Sequence, residues 1–199
     1  LLQATNYYSP NRSEIIMKKR ILLFFVFLGA FSAAFSIGAQ TQVPEEEAKM
    51  FLDEFNKLLD SLKGENFGLE IFIHNTEIAL AMFIPGFGIV WGLFSAISTG
   101  YAFAALNTTK PILMNIPPVA LIFATPFGLM ELAAYSLAMS RSLILTISII
   151  KRTSLRQQWK PIVIETSLVV GLLLAGGIIE AYMIDNFSSG QIQRMGTKN

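Results

Sequence analysis

The chain has 199 residues, of which 53% are hydrophobic and only 15% are charged, and its formal net charge is +1. This balance differs from that of ordinary soluble domains, and no basic field or basic tract indicates nucleic acid as a partner. The chain has no cysteine, which excludes disulfides, a thiolate nucleophile and cysteine-ligated metal centres. We therefore expect an all-α polytopic membrane protein of about five spans, with the lipid bilayer as a partner and without a cofactor.

The first predicted span is the charge-free run 21–39, which follows the basic segment at Met17 to Arg20. Its length suits one helical crossing of a hydrocarbon core of about 30 Å. Residues 1–16 are polar and are interpreted as a non-native or disordered leader before a first helix at 17–39. A cleaved signal peptide is the alternative, since Ile37-Gly38-Ala39 resembles a cleavage site. We favour an uncleaved span, because the run exceeds the usual apolar region of roughly 7 to 15 residues.

Residues 40–68 predict an external amphipathic helix. Pro44 and the three glutamates after it open the helix, and Gly64 ends it. Between them, apolar residues recur at three- and four-residue spacing among charged ones. The apolar face either lies on the membrane and the other spans, or docks a partner helix. We favour the first interpretation, because a surface helix with one apolar stripe needs cover in any case.

The apolar run 69–106 is too long for one span and is divided at Pro85-Gly86-Phe87-Gly88. Proline removes a helix hydrogen bond and disfavours helix in the residue before it, which predicts two helices at about 69–84 and 88–106. The second helix carries a small residue at every fourth position, a pattern that lets helices approach closely in lipid. We expect this stripe to pack against protein, and its members are Gly88, Gly92, Ala96, Gly100 and Ala104.

A second break, at Pro126-Phe127-Gly128, interrupts the next apolar run. It predicts a short element at 118–125, with a re-entrant course as one option, followed by a full span at about 128–150. The last span is predicted at 162–184, so that residues 69–185 form a four-span bundle. Residues 186–199 are then a polar external tail.

Orientation follows from the basic residues. They lie before the first span and in the loop 151–160, and the positive-inside rule places both on the cytoplasmic side. Five crossings satisfy both positions. We therefore expect a multi-pass protein of the cell membrane with its N-terminus in the cytoplasm and its C-terminus outside.

Polar residues within the second span are the first candidate site. Glu70, His74 and Glu77 share one helix face by their spacing, and Asn75 lies beside them. An ionised carboxylate near the bilayer centre costs about 2.5–3.5 kcal/mol, so Glu77 should face protein or water, or be protonated, with His74 as its expected partner. A metal or proton site is one interpretation. We favour a polar patch that fixes helix packing, because the chain has no second histidine, and we expect neither a metal ion nor a catalytic residue.

Glu131 is the second candidate, since it follows the break at Pro126 and Gly128 by about one turn. Backbone N–H groups freed at a helix start can bind a carboxylate. We therefore predict that Glu131 accepts from these donors, either for architecture or for something that passes through. Glu165 and Glu180, near the two ends of the last span, are expected to be hydrated at the interfaces.

Three segments of the chain resemble the stage II sporulation protein M-like family of small polytopic membrane proteins. They are Ile71-Phe72-Ile73-His74-Asn75, the Pro-x-Gly-x-x-Glu-Leu-x-Ala element from Pro126, and Ile178-Ile179-Glu180-Ala181-Tyr182. The family pattern has His where this chain has Phe127, and a paired Asn where it has His74-Asn75. The resemblance covers residues 18–185 and implies a membrane fold. The family's name comes from a bacterial protein that helps recruit cell-wall hydrolases during engulfment, but relatives occur in organisms without such walls, so fold transfers better than function.

Three function classes follow. A non-enzymatic membrane scaffold or complex subunit, bound to other membrane proteins or to itself, is favoured by the small-residue stripe and the external helix. A transporter or channel component for small solutes or ions is the alternative, favoured by the broken spans and by Glu77 and Glu131. An intramembrane enzyme ranks last, because only one histidine and scattered acidic residues support it.

Overall fold

The computed structural model describes residues 12–62, 67–109 and 117–196, which form helices joined by short connections. No strand occurs in these ranges, so the expected all-α class is confirmed. The helices, in chain order, are α1 (Arg12–Ala39), α2 (Glu45–Leu62), α3 (Phe67–Ala81), α4 (Phe87–Thr109), α5 (Pro118–Ala124), α6 (Pro126–Ile150), a 3-10 turn (Leu155–Gln158) and α7 (Trp159–Gly196).

Five of these helices run between the two ends of one bundle. At one end, Arg20 of α1 bonds to Ser140 of α6 and to Glu165 of α7. At the same end, the Ser142 hydroxyl of α6 donates to the Ile84 carbonyl, just after α3. We call this the arginine end. It contains the start of the apolar part of α1, the turn between α3 and α4, and the start of α7.

The opposite end is defined by close backbone contacts. Gly100 of α4 lies against the backbone of Phe35 in α1, and Gly68 of α3 lies against Gly177 in α7. Consequently α1, α4 and α7 run from the arginine end to the opposite end, while α3 and α6 run back. This order is the one that five crossings require.

The core forms where α1 packs on α6. Phe27, Phe31 and Phe35 recur at four-residue spacing, so they lie on one face of α1, and all three are buried. The Phe31 ring stacks on that of Tyr135 with centroids 5.5 Å apart, and Met139 lies in the same cluster. The first span is therefore an integral part of the bundle.

The small-residue stripe of α4 lies in the interior. All five members are buried. A Cβ atom on Gly100 would overlap the Phe35 carbonyl of α1, and one on Gly92 would lie 2.6 Å from the Met139 sulfur of α6. Gly38 of α1 is likewise in contact with the Ile97 carbonyl of α4. Close approach of α1, α4 and α6 thus depends on glycine at these positions.

Side-chain hydroxyl groups bond to the backbone at both proline breaks. At the first, Gly86 adopts φ +77°, which glycine tolerates, and the Ile84 carbonyl accepts from Ser142 Oγ at 2.7 Å. At the second, Thr125 is the N-cap of α6 and Pro126 is its first residue. The Ile84 carbonyl and the Gly128 amide, freed by the breaks, are thus each paired with a hydroxyl group.

Four helices are long and apolar enough to cross a membrane, namely Ile16–Ala39 in α1, Phe87–Thr109, Pro126–Ile150 and Leu155–Ile184. The chain is thus a polytopic helical membrane protein. The second predicted span differs from expectation, because α3 has 15 residues. At 1.5 Å per residue it measures about 22 Å, less than a hydrocarbon core of about 30 Å. The turn at Gly86 ends α3 while it is still short.

The external helix and the chain ends complete the fold. α2 packs through Ala48 on Ala104 and Ala105 of α4, and the Tyr101 hydroxyl donates to Glu47 at 3.1 Å. The first turns of α2 thus lie on α4. α1 already begins at Arg12, within the predicted leader, and α7 continues as helix through most of the predicted tail. The remaining parts of the predicted leader, helix stop and tail, at 1–11, 63–66 and 197–199, lie outside the described residues, as does the connection 110–116.

Candidate functional site

Polar side chains of the bundle form two internal groups and one exposed stripe. The arginine cluster joins three helices at the arginine end, the amide–carboxyl pair joins two helices nearer the opposite end, and the α3 stripe faces away from the protein. The arginine cluster contains Arg20, Ser140, Arg141, Gln158 and Glu165, the pair is Asn75 and Glu131, and the stripe is Glu70, His74 and Glu77.

Arg141 is the centre of the arginine cluster. Its Nε donates to Glu165 Oε2 at 2.6 Å and its Nη2 to Glu165 Oε1 at 2.5 Å, while Nη1 donates to Gln158 Oε1 at 3.0 Å. Such a two-pronged contact is the strongest geometry available to an arginine and a carboxylate. Arg20 also bonds to Glu165 Oε1, and its Nη1 donates to Ser140 Oγ at 3.4 Å. One carboxylate therefore connects α1, α6 and α7.

The charges of the cluster do not cancel. Two guanidinium groups share one carboxylate, which leaves a formal charge of +1. The Arg141 side chain is 3% exposed and that of Glu165 15%, whereas that of Arg20 is 19% exposed. The deepest arginine thus has the two-pronged contact, and the excess positive charge lies towards Arg20, where water and headgroups can reach it.

The spacing patterns in the sequence did not point to this cluster. Arg141 was not among the predicted site residues, and the expected hydration of Glu165 is wrong because two arginines bind it. A usable signal existed, since an arginine inside a span costs about 2.5–3.5 kcal/mol unless it is paired. This cost indicates that Arg141 must have a partner, but it does not identify the partner, which lies on another helix.

The amide–carboxyl pair connects α3 to α6. Asn75 Nδ2 donates to Glu131 Oε1 at 2.5 Å, and both side chains are half-buried. Glu180 of α7 is also half-buried and interacts electrostatically with Glu131. Three helices thus contribute a polar group to this region, beside the Gly68–Gly177 contact.

The predicted bond between Glu131 and the start of α6 is wrong. The Thr125 hydroxyl accepts from the Gly128 N–H at 3.3 Å, and the Thr125 carbonyl accepts from the Leu129 N–H at 3.1 Å. Because α6 begins at Pro126, Glu131 lies beyond the first turn, where the backbone donors already bond within the helix. Thr125 is therefore the cap, and Glu131 is available to Asn75.

Gly128 makes this cap possible. A Cβ atom there would lie 2.6 Å from Thr125 Oγ1 and 2.7 Å from the Ile122 carbonyl. Both contacts are too short for a side chain. The Pro126 to Gly128 segment is thus a packed joint between α5 and α6.

The α3 stripe is exposed along its whole length. Glu70, His74 and Glu77 are all exposed, and the expected bond between His74 and Glu77 is not formed. Within the described part of the chain, none of the three has a hydrogen-bond or ion-pair partner. Nor do the described residues contain a group of three side chains suited to a metal ion. The stripe therefore differs from both internal groups, whose members bond to each other.

The four buried serines of α6 all donate to backbone carbonyls. The acceptors are Leu132 for Ser136, Leu137 for Ser140, Ile84 for Ser142 and Ile144 for Ser148. None of these four serines donates to a histidine or a carboxylate, which is the arrangement that activates a hydroxyl nucleophile. Their contacts are those of packing residues.

Comparison with known proteins gives one result. The family model described as SpoIIM, stage II sporulation protein M, matches residues 21–183. Comparisons with curated proteins and with solved structures found no match. The matched region includes the amide–carboxyl pair, the α3 stripe, Arg141 and Glu165, and it begins one residue after Arg20.

Proposed function

The chain belongs to the stage II sporulation protein M family, and we propose that it acts as a non-enzymatic scaffold or complex subunit that packs against partner membrane proteins. The observation that carries this proposal is the exposed polar stripe of α3. The internal polar groups have partners within the chain, and the stripe has none in the described residues.

Lipid cannot replace the missing partner. Asn75 sits at the level of Glu131, more than one turn inside α6, so the neighbouring His74 and Glu77 lie within the apolar zone of the bundle. Ionisable groups at such depth face protein or water almost without exception. A helix that presents a histidine and two carboxylates outward is thus best explained by a protein surface that covers it.

A non-enzymatic role agrees with the chemistry of the interior. The buried serines bond to carbonyls, Arg141 bonds to Glu165, and His74 lies on the outer face of α3, away from them. Arg141, Glu165 and Ser142 hold helices together. They are not arranged as a nucleophile with a base.

We place the arginine end in the cytoplasm. Lys18 and Lys19 precede Arg20 at this end, and Lys151 and Arg152 follow α6 there. The positive-inside rule favours this orientation in a cell membrane. It puts α2 and the C-terminus on the outside, where α2 is accessible to soluble domains of a partner.

The proposal is tested by the mass of the complex in mild detergent. Leucine at all three stripe positions (Glu70→Leu, His74→Leu, Glu77→Leu) should leave the fold intact and release a chain of 22.0 kDa from a larger complex. Ser167→Leu, at an exposed position of α7, is the matched control and should leave the complex unchanged. Light scattering gives both masses. A wild-type protein that is monomeric, like the triple variant, would show that the stripe binds no protein.

Transport of a small solute or ion is the second candidate. The Asn75–Glu131 pair with Glu180 beside it favours this function, because buried carboxylates near broken helices line many transport pathways. Glu131→Gln keeps an acceptor for Asn75 and should preserve stability, whereas Glu131→Leu leaves the amide unpaired at about 1–3 kcal/mol. Thermal stability and flux in proteoliposomes separate the cases. A stable Gln variant that loses a measurable flux would establish transport, and stripe-dependent assembly with no flux would exclude it.

A further inference from the structure

The outward face of α3 combines apolar and polar side chains in one contact surface. Five residues at three- and four-residue spacing lie on it. Ile73 is 41% exposed and Leu80 is 44% exposed, and both lie on the same helix face as the three polar residues of the stripe. The surface consists of Glu70, Ile73, His74, Glu77 and Leu80.

The polar residues of this surface complement one another. His74 supplies an N–H donor, and Glu70 and Glu77, one turn away on either side, supply carboxylate acceptors. Within α3 these groups do not bond to each other. A facing surface must therefore offer acceptors to the histidine and donors to the carboxylates at the same depth in the membrane.

A second copy of this chain meets that requirement by symmetry for the histidine and for one of the two carboxylates. All copies in a membrane share one orientation, so a two-fold axis must run along the bundle and the two α3 helices must be parallel. A two-fold interface places the same patch on both sides. His74 of each copy then reaches a carboxylate of the other, and Ile73 lies next to its equivalent. The two histidine–carboxylate bonds are formed at once, whereas an unrelated partner would have to supply both kinds of group independently.

We propose that the chain forms a parallel two-fold homodimer through α3, in which His74 of each copy bonds to Glu70 or Glu77 of the other. This inference rests on the proposed function and names the partner of the stripe. The short length of α3 fits a helix that is covered by protein on both sides, because a 15-residue helix does not match the bilayer thickness by itself.

Cross-linking through an introduced cysteine tests the dimer, since the chain has no native cysteine. Ile73→Cys in the full chain is oxidised in native membranes and separated without reductant. We expect a product at twice 22.0 kDa, because a disulfide forms only when the two Cα atoms come within about 7 Å. Ile178→Cys is the control. It is exposed on α7, and its neighbour Gly177 lies against Phe72 of α3, so its depth is the same.

The polar contacts are tested in the same background. Adding His74→Leu to Ile73→Cys should abolish the cross-linked product while thermal stability of the single chain is kept, because His74 bonds to none of the residues that the structure describes. Persistence of the product in this double variant would overturn the proposed histidine bonds. Equal cross-linking at Ile73→Cys and Ile178→Cys, or none at either, would overturn the homodimer. If the stripe variants then still released the chain from a larger complex, the partner would be a different protein and the scaffold proposal would stand without this inference.

Discussion

Glu165→Gln is the substitution that most directly tests the charge balance of the bundle. Glu165 is the carboxylate that both Arg20 and Arg141 contact. Glutamine keeps the size of the side chain and one acceptor oxygen but removes the negative charge. The variant therefore leaves two neighbouring guanidinium groups without a counter-ion, one of them almost fully buried.

The structure predicts that removing the carboxylate of the cluster lowers the free energy of unfolding more than removing its buried arginine does. Removing one partner of a buried ion pair costs about 3–5 kcal/mol, which we expect for Glu165→Gln. Arg141→Met removes a buried charge instead and leaves Arg20 to pair with Glu165 one to one. Its cost should be smaller, about 1.5–3 kcal/mol, because removal of the buried charge offsets part of the three lost hydrogen bonds. The double variant Arg141→Met/Glu165→Gln should then be more stable than Glu165→Gln alone, because it no longer contains an unpaired buried guanidinium group.

Thermal unfolding in detergent, followed by circular dichroism, measures this order. For a chain of this size, the loss in Glu165→Gln corresponds to a fall in Tm of about 6–20 °C. Arg20→Gln, at the more exposed arginine, serves as a comparison and should have a smaller effect than Arg141→Met. A double variant less stable than Glu165→Gln would refute the argument that unpaired positive charge, and not lost packing, sets the cost.

Two further predictions concern packing and topology. Gly38→Ala should destabilise the bundle by about 1–3 kcal/mol, because its Cβ atom would overlap the Ile97 carbonyl. Gly29→Ala on the same helix has open space and should be neutral or gain up to about 1 kcal/mol in thermal unfolding. For topology, a membrane-impermeant thiol reagent applied outside the cell should label Ser189→Cys and spare Ser154→Cys. The reverse pattern would invert the proposed orientation, and equal stability of the two glycine variants would show that α1 does not approach α4 closely.

The bounds of the helices could be predicted because particular residue types cause the breaks between them. Proline and glycine interrupt the apolar runs near 85 and 126, and the structure has its helix ends there, within a few residues of the expected bounds. The small-residue stripe of α4 was identifiable for the same local reason, since four-residue spacing places Gly92 and Gly100 on one face whatever lies opposite. Such features depend on the helix itself and not on its neighbours.

The pairing of polar residues could not be predicted, because a membrane helix does not show which side faces inward. In water, an apolar stripe marks the buried face, but both lipid and protein interior accept apolar side chains. The spacing of Glu70, His74 and Glu77 therefore placed them correctly on one helix face, whereas the expected His74–Glu77 bond is not formed. The partners of Glu131 and Glu165 lie 56 and 24 residues away along the chain, beyond any local spacing rule.

Two consecutive residues of α3, His74 and Asn75, lie on different faces of the helix. Under the proposed assembly, Asn75 affects the stability of the single chain and His74 affects its association. Successive residues of a helix point about 100° apart, so Asn75 turns inward to Glu131 while His74 turns outward. Loss of the Asn75 amide removes a bond between α3 and α6, and its effect belongs to the unfolding of the single chain. Loss of the His74 ring removes no bond within the described chain, so under the proposed assembly its effect belongs to the contact with another molecule. Asn75→Leu should therefore lower Tm in detergent, and His74→Leu should lower only the mass of the complex. If both substitutions lowered Tm equally, then His74 would be part of the bundle's own packing, and the outward face of α3 would lose its role in assembly.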